Sequence, residues 1–208
     1  MIVVVEPNTY EKHAALVEKM FQLRARIFGE KLKWDVDIRD GLERDRYDDF
    51  GPTYLIHTDD EGKQVKGSLR LLPTTGPTLL ADIFSDTLPD AVHLSAPTIW
   101  ECTRFCLDER VIGPRRQNFV LASSLLIEAL GEVAIKAGVE SILGNFDASM
   151  LRLYRRIGCE VEVLGYTKRY GETVFLGSFA VSEAILRHVK AGLTRARNDA
   201  VPERHLAA

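Results

Sequence analysis

Charged and aromatic residues are concentrated in one short segment near the start of this chain. Between residues 23 and 48 the sequence runs L-R-A-R-I-F-G-E-K-L-K-W-D-V and, six residues later, E-R-D-R-Y-D. The residues of interest are Arg24, Phe28, Trp34, Glu43, Asp45 and Asp48. A guanidinium, two aromatic rings and carboxylates can together hold a small molecule that carries a carboxylate, a cation and a flat ring. S-adenosylmethionine (SAM) is such a molecule.

The elements that would position these residues follow from hydrophobic periodicity. A strand is predicted at residues 1–5, followed by a helix from about residue 11 that carries Arg24 and Phe28 four positions apart. Residues 29–51 lack a clear period and are predicted to form a long ordered lid. The remaining elements are predicted in this order: strands 53–58, 64–72 and 98–107, a helix 117–137, a strand 139–146, a helix 147–157, strands 160–166 and 173–179, and a helix 182–194.

This order of elements predicts a mixed sheet. The early strands pair as hairpins, whereas the crossover from Leu107 to Phe146 requires one parallel pair in the middle. The order resembles the acetyltransferase-like (GNAT) fold. That resemblance implies one α/β (α+β) domain over residues 1–208: a three-layer sandwich with helices on both faces and a mostly antiparallel sheet, splayed at its middle. We expect an N-terminal SAM segment over about residues 1–51 and a frayed tail over about residues 195–208.

The segment from Leu23 to Asp48 resembles the signature of acyl-homoserine lactone synthases, the autoinducer synthases of bacterial quorum sensing. Arg70 in G-S-L-R-L-L-P-T, and Glu101 and Arg104 in W-E-C-T-R-F, match the same family. The resemblance covers roughly the N-terminal half by motif and the remainder by element order only. It implies a cytoplasmic acyltransferase that joins the methionine part of SAM to an acyl chain and releases 5'-methylthioadenosine, with SAM as substrate and no cofactor.

The reaction assigns roles to two of these residues. The SAM ammonium group has an ordinary pKa of about 8, and only its neutral form attacks a thioester, so a nearby carboxylate is needed to accept a proton. Glu101 is the predicted acceptor, through a water; the alternative is a carboxylate that merely pairs with Arg70 or Arg104. Arg104 is predicted to hold the substrate carboxylate for lactone closure.

The other members of the set are predicted to shape the SAM pocket. Asp45 and Asp48 share a face of a helical turn, and with Arg24 and Arg70 they would form an ion network. Taken alone, such charges are usually a solvated surface. The predicted catalytic set is Arg24, Asp45, Asp48, Arg70, Glu101 and Arg104. The predicted SAM-binding set is Arg24, Phe28, Trp34, Asp45, Arg104 and Phe105, in which the aromatics of the first segment could instead only anchor the lid.

The spacing of Glu101 and Arg104 raises a geometric problem. Residues three positions apart on a regular strand point to opposite faces, which would prevent a shared pocket. A β-bulge near Cys102 or Thr103 would bring both to one face. We therefore predict a bulge there.

An acyl chain requires a dry apolar channel. The predicted lining residues, each of which could equally be ordinary core, are Phe84, Trp100, Phe105, Leu121, Leu125, Ile142, Phe146 and Met150. The acyl donor must be coenzyme A or acyl carrier protein. The turn R-V-I-G-P-R at Arg110–Arg115 is a poor pyrophosphate cradle, since Pro114 lacks an amide donor and Arg115 fills a small-residue position.

A basic patch favours acyl carrier protein as the donor, with a solvated helix face as the alternative explanation. Its predicted members are Arg115, Arg116, Arg152, Arg155, Arg156, Lys168 and Arg169. Some members of the family instead use acyl-coenzyme A, so the donor stays open.

Composition excludes several other classes of protein. The chain has 208 residues, of which 46% are hydrophobic, which is enough for one substantial core. Its formal net charge of -3 gives no general attraction to nucleic acid or an anionic membrane. Cys102, Cys106 and Cys159 form no C-x-x-C motif and indicate reduced thiols. No segment approaches the length of a membrane span and no cluster has zinc spacing, so we expect neither membrane insertion nor a metal.

Two other functions fit parts of the pattern. An N-acetyltransferase on the same fold would use acyl-coenzyme A without SAM, and the broken pyrophosphate turn argues against it. A non-catalytic acyl or nucleotide sensor would bind its ligand without consuming it. The intact set of ionic residues argues against decay to a sensor.

Overall fold

A seven-stranded sheet forms the centre of the protein. The computed structural model describes residues 1–88 and 94–200, without the side chains of residues 199 and 200. In chain order the strands are β1 (Ile2–Val5), β2 (Ile38–Arg39), β3 (Leu42–Glu43), β4 (Thr53–Thr58), β5 (Val65–Pro73), β6 (Ile99–Leu107), β7 (Ser141–Phe146), β8 (Glu162–Tyr170) and β9 (Glu172–Ala180). The helices are α1 (Ala14–Arg24), α2 (Leu79–Asp82), α3 (Glu109–Ile112), α4 (Arg116–Lys136), α5 (Ala148–Ile157) and α6 (Glu183–Ala200).

The large sheet is mixed. Its strand order is β1-β4-β5-β6-β7-β9-β8, and β2 pairs with β3 as a separate hairpin. All neighbouring strands in the large sheet are antiparallel except β6 and β7. These two are parallel because the chain crosses from one to the other through α4. The predicted mixed, mostly antiparallel sheet is confirmed.

The sheet opens between its two parallel strands. β6 and β7 pair only from Ile99 to Glu101, opposite Ser141 to Leu143. Beyond this point β6 continues to Leu107 without pairing to β7. The gap between the two strands is the predicted splay in the middle of the sheet.

A β-bulge interrupts β6. Arg70 of β5 lies opposite Thr103, and Ser68 lies opposite Cys106, so the single residue between them on β5 faces two residues on β6. Arg104 at the bulge has a φ of 54°, in the left-handed region. That conformation costs a non-glycine residue roughly 1–2 kcal/mol. The predicted bulge is therefore present, and it begins directly after Thr103.

Helices cover both faces of the sheet. Met20 of α1 packs with Tyr54 of β4 in one core cluster, whereas Leu126 of α4 packs with Leu55 of the same strand in another. Tyr54 and Leu55 are consecutive on a strand and so point to opposite faces. Val189 of α6 packs with α5 beside α4. The three-layer arrangement predicted from the sequence is confirmed.

The N-terminal and C-terminal segments differ from the prediction. The chain makes 3₁₀ turns at Pro7–Thr9 and Glu11–His13 before α1 begins, and a π-helix, Ala25–Lys31, continues α1. The predicted lid contains the β2–β3 hairpin and a 3₁₀ turn at Arg46–Phe50. α6 extends through Ala200, six residues beyond its predicted end, so the predicted fraying from residue 195 is wrong for residues 195–200. Residues 201–208 lie outside the described part of the chain.

The prediction that no segment approaches the length of a membrane span is wrong for α4. By length and composition alone, Arg116–Lys136 is apolar enough to cross a membrane. A core helix of a globular protein passes the same test, and Ala122 and Leu126 of α4 are buried against the sheet. The hydropathy of α4 therefore reflects its place between the sheet and α6.

Candidate active site

Three arginines and three carboxylates form a closed ring of alternating charge. Each arginine bonds two carboxylates and each carboxylate bonds two arginines. Around the ring the members are Arg24, Glu43, Arg104, Asp45, Arg70 and Asp48, which bonds Arg24 again. The ring has no net charge, which offsets part of the cost of removing so many charges from water.

Asp48 has the most partners in the ring. Its oxygens accept two hydrogen bonds from Arg24, each 2.9 Å long, one of 2.9 Å from Arg70 and one of 2.8 Å from the hydroxyl of Tyr54. Burial alone raises the pKa of this carboxyl, but the hydrogen bonds and charges of Arg24 and Arg70 outweigh burial and hold the pKa well below its ordinary value. Asp48 is therefore a structural anion.

Local backbone geometry sets the relation between Asp45 and Asp48. Asp45 caps the Arg46–Phe50 turn by accepting a hydrogen bond of 2.9 Å from the amide of Tyr47. In return, Asp48 accepts one of 2.9 Å from the amide of Asp45. This reciprocal capping explains why carboxylates three positions apart suit the turn.

Asp45 and Arg104 are the two ring members that line a cavity. The Asp45 side chain is 17% exposed and that of Arg104 is 11% exposed, whereas the other four are 0–1% exposed. Asp45 Oδ2 lies 2.7 Å from Arg104 Nη2. The negative carboxylate of Asp45 and the positive guanidinium of Arg104 can therefore both form hydrogen bonds with a ligand in the cavity. Arg24, placed in the predicted SAM-binding set, is buried in the ring and does not line the cavity.

Arg104 reaches the ring because of the β-bulge. Thr103 accepts a hydrogen bond of 3.0 Å from Arg70, and Arg104 donates to Glu43 at 2.9 Å. The side chains of the consecutive residues Thr103 and Arg104 thus both contact the charge ring on one side of the sheet. A regular strand would direct them to opposite sides. The strained conformation of Arg104 completes the ring.

Glu101 lies beside the ring and bonds neither Arg70 nor Arg104 among the described contacts. Its carboxylate accepts hydrogen bonds from the amides of Leu79, at 3.0 Å, and Leu80, at 2.6 Å, at the start of α2. Burial raises the pKa of Glu101, and the two amide bonds only partly offset that effect. Glu101 does not line the cavity. Its role as proton acceptor stays a prediction.

The side chains of Phe28 and Trp34 stack on each other next to Arg104 of the charge ring. The centroids of Phe28 and Trp34 are 5.1 Å apart with an interplanar angle of 18°. Lys33, with a φ of 58°, turns the chain so that the Trp34 amide donates to the Phe28 carbonyl at 2.9 Å. Phe28 is buried under the Arg104 guanidinium, whereas Trp34 is 53% exposed and lines the cavity.

The sequence analysis did not identify Tyr47 as part of the site. Its hydroxyl donates to Asp82 at 2.9 Å, and its ring lies 5.5 Å from the guanidinium carbon of Arg70. Tyr47 also lines the cavity. Its position, within the charged segment and between Asp45 and Asp48, was the available signal.

The cavity has a volume of about 1280 Å³. It contacts Phe28 and Trp34 on the α1 side of the sheet and reaches α4, α5 and α6 on the other side. Residues of β6 and β7 beyond their paired section line it, so it passes through the gap in the sheet. Pockets for one drug-sized ligand are typically about 300–1,000 Å³, so this cavity has room for two ligands.

The structure places some of the predicted acyl-channel residues at the cavity and others away from it. Five of the predicted residues line the cavity: Phe84, Phe105, Ile142, Phe146 and Met150. Trp100, Leu121 and Leu125 do not. On α4, successive residues are about 100° apart, so Leu121 and Leu125 are rotated away from Phe119 and Ile127, which do line the cavity.

Residues that the sequence analysis missed form the far wall of the cavity. They come from α4 and α6: Phe119, Ile127, Leu130, Gly131, Ile135, Ile185, Leu186 and Val189. Apolar periodicity was the available signal, but it does not tell which helix face meets a cavity.

The residues of the predicted basic patch are all exposed. They come from the start of α4, from α5 and from β8: Arg115, Arg116, Arg152, Arg155, Arg156, Lys168 and Arg169. The turn predicted as a degraded pyrophosphate cradle contains α3, capped by Asp108, which accepts from the Arg110 amide at 3.1 Å. Among the described residues, no group of three His, Cys, Asp or Glu side chains could hold a metal.

Comparison with known proteins identifies the family. The family model for autoinducer synthases matches residues 8–189. An acyl-homoserine-lactone synthase of Rhizobium etli is 36% identical over 203 residues, which cover 97% of this chain and 94% of the relative. The chain belongs to the autoinducer synthase family. This autoinducer synthase is therefore an enzyme, an acyltransferase of quorum-sensing signal synthesis.

Solved structures share the fold. TofI, in a complex with an inhibitor and MTA, is 27% identical, with a TM-score of 0.75 over 91% of this chain and 96% of TofI. BjaI, a CoA-dependent acyl-homoserine lactone synthase solved with SAM and isopentyl-CoA, is 21% identical, with a TM-score of 0.79 over 95% of this chain and 99% of BjaI. Acetyltransferases match this autoinducer synthase with a TM-score of 0.54, which supports the GNAT-like fold.

Proposed function

We propose that this autoinducer synthase transfers an acyl group from a thioester to the amine of SAM and then closes the homoserine lactone, releasing 5'-methylthioadenosine. One observation carries the proposal: Asp45 and Arg104, 2.7 Å apart, are the two partly exposed members of a buried charge ring. They face a cavity whose other end is apolar. A zwitterionic amino acid beside an apolar chain fits that arrangement.

SAM would occupy the side of the cavity next to the ring. Asp45 would bind the SAM ammonium, and Arg104 would bind its carboxylate. Phe28 and Trp34 would contact the sulfonium or the adenine ring. Because Asp48, Arg24 and Arg70 are fully buried around them, the two ligand-binding groups would be held in place before SAM arrives.

The first step forms the amide. The SAM amine loses a proton, attacks the thioester carbonyl and expels the donor thiol. Glu101 is the proposed proton acceptor, through a water, because burial makes its carboxyl a stronger base than an ordinary glutamate. Each Glu101 oxygen uses one lone pair for an α2 amide and retains another for that water. Asp45 is the alternative acceptor, since it lines the cavity.

The second step closes the lactone. The substrate carboxylate attacks the carbon that bears the sulfonium, the carbon–sulfur bond breaks, and its electrons leave with sulfur as a neutral thioether. No acid is required, so the orientation of the carboxylate by Arg104 would supply most of the catalysis.

The acyl donor is proposed to be acyl carrier protein, supported by the exposed basic residues of α5 and β8. To test this, kcat/KM would be compared for one acyl group carried by each donor. Arg152→Glu and Arg156→Glu should each lower use of the carrier-protein donor about tenfold and leave the coenzyme A donor little changed. Arg187→Glu, an exposed change on α6, is the control. A preference for the coenzyme A donor in the wild type, with use of the carrier-protein donor unchanged in Arg152→Glu and Arg156→Glu, would reassign the donor to coenzyme A.

The cytoplasm is the proposed location, since Cys102, Cys106 and Cys159 are all free thiols.

The proposed reaction is tested by incubating the protein with SAM and a panel of acyl thioesters, followed by mass spectrometry of organic extracts. We expect an acyl-homoserine lactone together with 5'-methylthioadenosine. Acetyl transfer without SAM would support the N-acetyltransferase alternative. Folded protein that binds SAM but forms no lactone with any donor would support the sensor alternative.

A further inference from the structure

We propose that the acyl chain extends to α6 and that Gly131 of α4 sets the longest chain this enzyme accepts. The inference rests on the proposed function and adds a substrate class to it: long acyl groups whose last carbons, between α4 and α6, are plain hydrocarbon. It depends on the far wall of the cavity, which the sequence analysis did not identify.

The far wall is apolar where α4 and α6 meet. α4 supplies Ile127 and Leu130, α6 supplies Leu186 and Val189, and β9 supplies Phe179. A buried hydroxyl or keto group on chain carbons that lie between α4 and α6 would lack hydrogen-bond partners on these two helices, which is costly. A hydrocarbon chain has no hydrogen bonds to lose when it is buried there.

Polar residues also line the cavity near this wall, among them Tyr154 of α5, whose ring packs edge-on against Phe179. The Ser182 hydroxyl accepts a hydrogen bond of 3.2 Å from the Ile185 amide at the start of α6. Glu160 is exposed to solvent.

Gly131 is unusual for its position in the middle of a 21-residue helix. Glycine inside a helix is less stable than alanine, because it loses more backbone freedom on folding. Gly131 is absent from the residues with positive φ, so backbone conformation does not require glycine. Space favours glycine instead: a Cβ atom at this position would lie 3.0 Å from Leu186 Cδ1, so the Leu186 side chain would have to shift.

The close approach of α4 to α6 occurs at the cavity wall itself. Both Gly131 and Leu186 line the cavity, so a larger side chain at either position would project into the acyl end from opposite sides. Each methylene that loses burial costs about 0.8 kcal/mol, or about fourfold in kcat/KM. A leucine at position 131 would displace several methylenes and shorten the preferred chain.

The experiment is a competition among straight-chain saturated acyl thioesters of increasing length, with the product lactones quantified by mass spectrometry. Gly131→Leu should shift the most abundant product to a chain shorter by two or more carbons, and Gly131→Ala should shift it less. Leu186→Phe should shift it in the same direction from the α6 side. Lys136→Leu, an exposed change on the same helix, should match the wild type.

Two results would overturn the inference. One is a folded Gly131→Leu or Leu186→Phe variant with the wild-type product distribution. The other is an equal loss of activity with all chain lengths, which would indicate a structural defect. If Gly131→Leu does not fold, Leu186→Phe and Gly131→Ala decide the question. Absence of any lactone from wild-type protein would instead defeat the proposed function, so the two failures are distinguishable.

Discussion

Asp45 Oδ2 and Arg104 Nη2 lie 2.7 Å apart and join the two sides of the candidate site. Asp45 caps a turn in the N-terminal segment, and Arg104 sits on a bulge in β6. Both belong to one ring of alternating charges, and both line the cavity. The predictions below depend on this arrangement.

Asp45→Asn should weaken SAM binding. The substitution removes the negative charge proposed to meet the SAM ammonium, and a charged hydrogen bond contributes about 1.5–3 kcal/mol, or roughly ten- to a hundredfold in affinity. Titration calorimetry with SAM measures the effect. Asp49→Asn is the matched control, because Asp49 is exposed and pairs with Arg44 outside the cavity. Equal affinity for both variants would contradict the assignment of Asp45.

Asp48→Asn should destabilise the fold. Removing one partner from a buried ion pair costs about 3–5 kcal/mol, because the remaining charges lose their compensation. Chemical denaturation should show that loss in the free energy of unfolding. Glu61→Gln is the control, because its pair with Lys63 is exposed and such pairs contribute about 0–1 kcal/mol. A loss of less than about 1 kcal/mol for Asp48→Asn would mean that the ring tolerates a missing charge.

The stability of the fold should fall in acid because of Asp48. Its folded pKa is held well below the unfolded value of about 3.9, so its stabilisation is fully present above that value. The stabilisation is lost as the pH falls through the folded pKa. Between about pH 5 and pH 2, the free energy of unfolding should therefore decline more steeply for the wild type than for Asp48→Asn. Parallel curves would assign acid unfolding to other groups.

Glu101→Gln should slow turnover far more than it weakens SAM binding. Since burial raises the pKa of Glu101, the acid limb of the wild-type pH profile of kcat/KM should lie above the ordinary glutamate value of about 4.3, and the variant should lack that limb. Glu18→Gln, an exposed change on α1, is the control. Equal losses in turnover and SAM affinity would give Glu101 only its structural role of binding the α2 amides.

Much of the candidate site could be predicted because the spacing of its residues along the chain determines their local geometry. The spacing of Asp45 and Asp48 fits a capped turn, and the spacing of Glu101 and Arg104 required a bulge. The closure of the ring through Glu43 was not predicted, because it depends on where a left-handed Arg104 directs its side chain. Only tertiary geometry sets that direction.

The far wall of the cavity was predicted less well, for a physical reason. Apolar periodicity marks a buried helix face, but core and channel present the same periodicity. Leu125 and Ile127 are both apolar residues of α4, and only the rotation of the helix against α6 makes Ile127 line the cavity. The interior glycine at position 131 was a local sign of the close approach between α4 and α6.

The central claim is that the ring and the cavity together convert SAM and an acyl thioester into a lactone. The most direct measurement supplies SAM carrying ¹³C in its methionine backbone and an unlabelled acyl thioester, and then records the masses of both products. The account predicts a lactone that carries the label and an unlabelled 5'-methylthioadenosine in equal amounts. An acylated product without the label, or label found only in unreacted SAM, would contradict it.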